Sequence, residues 1–125
     1  MIVKKMTFIH AADIHLGGMF SGFRHLPDNL YERLKASGYK ALQNLVQTAI
    51  KEKVDFVILA GDIYDVDDRN LKAQVQFQKA MEQLNKEEIP VYMIHGNHDF
   101  LEGKYFELSL PPNVHVFRQE VEVKK

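Results

Sequence analysis

Three short apolar runs, separated by two longer stretches of helical periodicity, constrain this chain more than anything else in it. MTFIHAAD, from Met6 to Asp13, is the first run and stops in polar residues. GYKALQNLVQTAIKEK follows, with Ala41, Leu42, Leu45, Val46, Ala49 and Ile50 at the spacing of one helix face. VDFVILAGD is a near-continuous apolar run, the pattern of a strand buried on both faces. NLKAQVQFQKAMEQLNKEE is helical again, with Ala73, Phe77, Ala80, Met81 and Leu84 on one stripe. Asp67 and Asp68 precede it as candidate caps and favourable charges at a helix start. IPVYMIHGN is the third strand, with Pro90 at its first residue, where a missing N–H is tolerated. The order β-α-β-α-β implies an α/β fold: a parallel sheet with right-handed crossovers, flanked by helices. NVHVF and VEVKK read as two further short strands near the end, and GGMFSGFRHLPDN as the longest irregular stretch.

A length of 125 residues suits one domain with one core, and 46% hydrophobic with 26% charged residues is an ordinary globular balance. The net charge of −1 gives no global basic field, so any contact with nucleic acid must be local or lie outside this chain. With no cysteine there is no disulfide, thiolate metal site or cysteine nucleophile, as suits a cytoplasmic protein. Met6 to Ala12 is too short for a signal core, and no apolar run approaches a membrane span.

In a parallel sheet the carboxyl ends of all strands share one edge, where ligands bind. Here they end in Asp13-Ile14-His15-Leu16-Gly17, in Gly61-Asp62-Ile63-Tyr64-Asp65 and in Gly96-Asn97-His98-Asp99. Three segments thus bring carboxylate, imidazole and amide groups towards one place. Divalent-metal chemistry is the natural use for such a set. Asp13 and His15 are two apart, so in extended backbone they face one side. Asp62 has two oxygens with which to bridge two ions, and Asn97 offers a neutral oxygen. Mixed oxygen and imidazole ligands suit manganese, iron or zinc better than calcium. Two ions roughly 3.5–4 Å apart clamp a phosphate and acidify a bridging water. Gly17, Gly61 and Gly96 let the backbone turn sharply and approach a ligand closely.

Each residue taken alone has a plainer reading. Asp13 and Asp62 serve as helix caps or turn formers, His15 as a solvated loop histidine, Asn97 after Gly96 as a turn pair. His98 and Asp99 make a surface ion pair. It is the convergence of the set that argues for a site. His10 and His95 are expected as packed, hydrogen-bonded histidines, and His25 and His115 as structural or exposed. Phe20, Phe23 and Arg24 are of a type that stacks on and holds nucleic acid, although a loop folding its aromatics onto the domain is the simpler account.

The successive motifs Asp13-x-His15, Gly61-Asp62-x-x-Asp65 and Gly96-Asn97-His98-Asp99 resemble those of the calcineurin-like metallophosphoesterases, over nearly the whole chain. DIHLG resembles the SbcD-type DNA repair nucleases within that superfamily. HAADIHLGGMF, GDIYDVDDRN and HGNHD together are most similar to the bacterial YhaO-type branch, predicted exonucleases. The protein serine/threonine phosphatases differ at the places of Leu16 and Val66-Asp67.

The resemblance implies two divalent ions, manganese first, with iron and zinc as alternatives. Asp13 and His15 would ligate the first, Asp62 both, and Asn97 the second. Asn97 and His98 would contact the scissile phosphate, His98 would protonate the leaving oxygen, and Asp65 would orient His98. The expected activity is phosphodiester hydrolysis of DNA in repair, as an exonuclease with a partner ATPase. A phosphomonoesterase or nucleotide phosphodiesterase of the same superfamily is the alternative, as is a catalytically silent scaffold. The family completes its site with later Gly-His and Gly-His-x-His motifs, which are not in this sequence. Residues 1–125 are therefore expected to be the amino-terminal part of a single catalytic domain, inactive by themselves and prone to self-association through uncovered apolar surface.

Overall fold

The computed structural model describes residues 4–14, 16, 27–61, 71–95, 110–117 and 123–124. Their order is β1 (Phe8–Ala12), α1 (Asp28–Lys51), β2 (Phe56–Gly61), α2 (Leu71–Lys86), β3 (Val91–His95) and β4 (Val114–Phe117). The four strands form one sheet in the order β1-β2-β3-β4, every neighbouring pair parallel. The alternation of apolar runs and helical stripes thus produces the parallel α/β sheet its pattern implies. NVHVF supplies β4, whereas Val123 and Lys124 of VEVKK are not in a strand, and Val123 is 80% exposed.

Successive right-handed crossovers that advance in one direction put their helices on one face, and the core lies there. Leu42, Val46 and Ala49 of α1 and Ala73, Phe77, Ala80, Met81 and Leu84 of α2 are buried with Val57, Leu59, Val91 and Met93 of the sheet. The stripe read for α2 is buried in full; in α1, Ala41 falls outside it, on the exposed side. Lys72 places its ammonium 5.3 Å from the centre of the Tyr39 ring, so the start of α2 lies beside the middle of α1.

The expectation that β2 and β3 are buried on both faces is corrected. Among their described side chains, Val57, Leu59, Val91 and Met93 are the ones buried in the core. Phe56, Ile58 and Ala60 are half-buried and Ile94 is 52% exposed, because no described residue forms a layer over the even-numbered face. That face carries a run of rings. Phe8 stacks on Phe56 at 4.9 Å, and Phe56 meets Tyr92 edge-on. Tyr92 contacts His115 and Phe117. His10 shares this face, so it is exposed and not packed.

Helix α1 also begins ten residues before Gly38, taking in Asp28 and Asn29 from the stretch read as irregular. Leu30 is 42% exposed and Leu34 half-buried, so the described side chains of this first part form no buried stripe like that of the rest. At 1.5 Å per residue its 24 residues span about 36 Å, well beyond strands of four to six residues. Residues 28–38 thus run past the start of α2, on the side where β1 ends.

Both helices end in the same way. Lys53 and Glu88 take the left-handed conformation, with φ of 49° and 57°. The next amide reaches back five residues, from Val54 to the Ala49 carbonyl (3.1 Å) and from Ile89 to the Leu84 carbonyl (3.0 Å). This is the Schellman closure with its buried apolar residue after the turn. It delivers the chain directly into the following strand. Side chains then pin two strand starts: Asp55 accepts from the Thr7 amide at 2.8 Å, and Asn113 donates to the Ile89 carbonyl at 2.8 Å.

Candidate metal centre at the carboxyl edge

The register of the sheet decides what meets at its carboxyl edge. Ala12 lies opposite Ala60, Ala60 opposite Ile94, and Gly61 opposite His95. Asp13, Gly61 and His95 therefore stand at one level, where three chain segments leave the sheet. Neighbouring strands are about 4.8 Å apart, so the three exits fit within roughly 10 Å. In sequence they lead into the three motifs. Among the described strands the order does not reverse, so the common level of the exits, and not a switch point, defines this place.

Asp13 is the one proposed ligand among the described residues. Its amide donates to the Ala60 carbonyl at 2.9 Å, one bond beyond the end of β1. Its φ is then 53°, in the left-handed region that aspartate tolerates better than most residues. The extended backbone expected through Asp13 and His15 thus stops at Ala12. The turn folds the Asp13 carboxylate over Gly61, whose φ is 81°. A Cβ on Gly61 would clash with Oδ1 of Asp13 and lie 2.9 Å from its Cγ. Asp13 nevertheless remains exposed as a residue. An exposed carboxylate on a fixed turn is chemically suited to a divalent cation.

Ile14 and Leu16 anchor this turn, a role that sequence reasoning missed. Leu16 is fully buried and Ile14 packs against the core, so the segment after Asp13 is held from both sides of His15. The apolar pair flanking a histidine was the available signal. His15, Asp62, Asp65, Asn97, His98 and Asp99 lie outside the described residues, as do Asp67, Asp68 and the aromatic stretch with Phe20, Phe23 and Arg24. Among the described residues no group of three or more His, Asp or Glu side chains comes together. His115 packs edge-on to Phe117 at 4.6 Å, a structural placement. No helix among the described residues is long and apolar enough to cross a membrane.

Comparison with known proteins bears on the family of the chain. Residues 6–124 match the family of calcineurin-like phosphoesterases. The chain is 43% identical over 124 residues to the uncharacterized metallophosphoesterase YhaO of Bacillus subtilis, covering 99% of this chain and 30% of that protein. It is 35% identical over 108 residues to the SbcD subunit of the SbcCD nuclease of Staphylococcus epidermidis, covering 82% of this chain and 26% of the relative. The corresponding protein of Staphylococcus saprophyticus is 34% identical over 110 residues, covering 83% and 27%. The chain thus spans less than a third of the length of these relatives. With its parallel sheet, its three motifs and a family match over nearly its whole length, the chain belongs to the calcineurin-like phosphoesterases.

Proposed function

We propose that this chain is the amino-terminal part of a metal-dependent phosphodiesterase domain that acts on DNA ends in repair, as an exonuclease. The observation that carries the reading is the common level of the three strand exits, with the Asp13 carboxylate folded onto the second of them. The similarity to proteins named as nuclease subunits supports a nucleic acid as the substrate. That these relatives are subunits of a larger nuclease supports a second polypeptide as partner, which the reading takes to be an ATPase. The place of action is the cytoplasm.

Asp13 and His15 would hold one divalent ion, Asp62 would be shared, and Asn97 would hold a second. Manganese is the expected ion, with iron and zinc as alternatives. Bound there, such ions supply Lewis-acid polarisation of a phosphate and acidify water. The chain's own groups do the rest. Asn97 and His98 hold the scissile phosphate. His98 gives its proton to the leaving oxygen, and Asp65 favours the imidazolium and fixes its orientation. A neutral amide and a shared carboxylate are a weak pair for the second ion. The 125-residue chain is therefore inactive alone and prone to self-association.

Calorimetric titration of the chain with Mn²⁺ tests the ligand set, with one site expected and two tight sites contradicting it. Activity is tested in a chimera, with this chain replacing the matching segment of the S. epidermidis nuclease protein. Manganese-dependent release of nucleotides from a labelled DNA end is expected, reduced about 10²–10⁴-fold by His98→Ala. Faster turnover of a small aryl phosphate than of DNA would favour the phosphomonoesterase reading. Nuclease activity that survives Asp62→Ala would overturn the mechanism.

A further inference from the structure

Two glycines in the described chain differ sharply in what their missing side chain permits. A Cβ on Gly38, in the middle of α1, would meet no atom within 4 Å. A Cβ on Gly61 would overlap Oδ1 of Asp13, approach its Cγ to 2.9 Å and lie 3.4 Å from its amide nitrogen. All three nearest atoms belong to one residue, and that residue is the proposed cation ligand.

We propose that Gly61 is a positioning residue: its bare Cα is the seat on which the Asp13 carboxylate rests, setting the direction in which Asp13 presents its oxygens at the edge. The proposal rests on the reading of Asp13 as a cation ligand. Aspartate has a short stem, so its carboxylate cannot clear such a side chain and still present its oxygens in the same direction. Its backbone is held by the amide bond to the Ala60 carbonyl at 2.9 Å and by the turn at φ 53°. Beyond the turn, fully buried Leu16 limits how far the segment shifts. A side chain at Gly61 is therefore relieved only by rotating the carboxylate off its seat or by moving the exit of β1. Either change alters the ligand direction. Gly61 also has a φ of 81°, which disfavours any other residue regardless of contact. The two penalties are separable, because only the first depends on Asp13.

The test is a double-mutant cycle on the 125-residue chain with Gly61→Ala, Asp13→Ala and the double variant. Thermal unfolding in metal-free buffer and Mn²⁺ titration are the readouts. Gly61→Ala is expected to lower Tm by several degrees more in the parent than in the Asp13→Ala background. Alone it should weaken Mn²⁺ binding about tenfold or more, while in the Asp13→Ala background it should change Mn²⁺ binding no further. If Gly61→Ala does not fold, recovery of folding in the double variant supports the seat, and a double variant that also fails overturns it. Equal Tm losses in both backgrounds overturn it as well. A coupled Tm loss, with Mn²⁺ binding untouched by Asp13→Ala, would leave the contact in place and remove Asp13 from the ligand set instead.

Discussion

At Asp13 the backbone asks for one property and the proposed chemistry for another. The left-handed turn needs a residue that tolerates a φ of 53°. The ligand role needs a carboxylate. Asparagine meets the first demand and not the second, while valine, branched at Cβ, meets neither. Asp13→Asn should keep the Tm of the chain within about 2 °C and weaken Mn²⁺ binding at least tenfold. Asp13→Val should lower Tm by about 4 °C or more, the equivalent of roughly 1 kcal/mol in a domain of this size. Equal Mn²⁺ affinities for the parent and Asp13→Asn, read by calorimetry, would leave the turn with a structural purpose alone.

Among the elements, the helix ends carry conformational strain that the packing does not demand. Lys53 and Glu88 sit in the left-handed position where glycine is the usual residue. An L-residue there costs about 1–2 kcal/mol, part of which glycine gives back through its freer unfolded chain. Lys53→Gly and Glu88→Gly should each stabilise by about 0.5–1 kcal/mol, raising Tm by about 2–4 °C. Both side chains are exposed, so no buried contact is lost. A fall in Tm for either variant would mean that its side chain holds the turn. No glycine marks these ends in the sequence, so the stop was legible only as a loss of apolar periodicity.

On the scale of the whole molecule, one sheet face carries the core and the other carries a run of rings, half-buried except for exposed Phe8. Phe8 and Ile94, at 50% and 52% exposure, contribute little to folding for residues of their size. The double variant Phe8→Ser and Ile94→Ser should clearly lower binding of an apolar fluorescent dye. Its Tm should fall by less than about 4 °C. Unchanged dye binding with a Tm drop well beyond that would show the face to be covered in solution.

Element types, their order and the parallel sense of the sheet followed from the sequence alone. Apolar runs of strand length alternating with helical stripes have few other ways to bury their faces. The stripe from Ala73 to Leu84 was legible for the same reason. Tertiary structure decided which face of each strand is covered. A continuous run such as FVILA reads as buried on both sides whether or not a second layer is present, because periodicity records side-chain type and not what lies opposite. It also extended α1 back to Asp28, where no buried stripe announces a helix. And it gave Gly61 a neighbour that the sequence does not show: the atom that would meet its side chain belongs to Asp13, 48 residues earlier and brought alongside by the register of two strands.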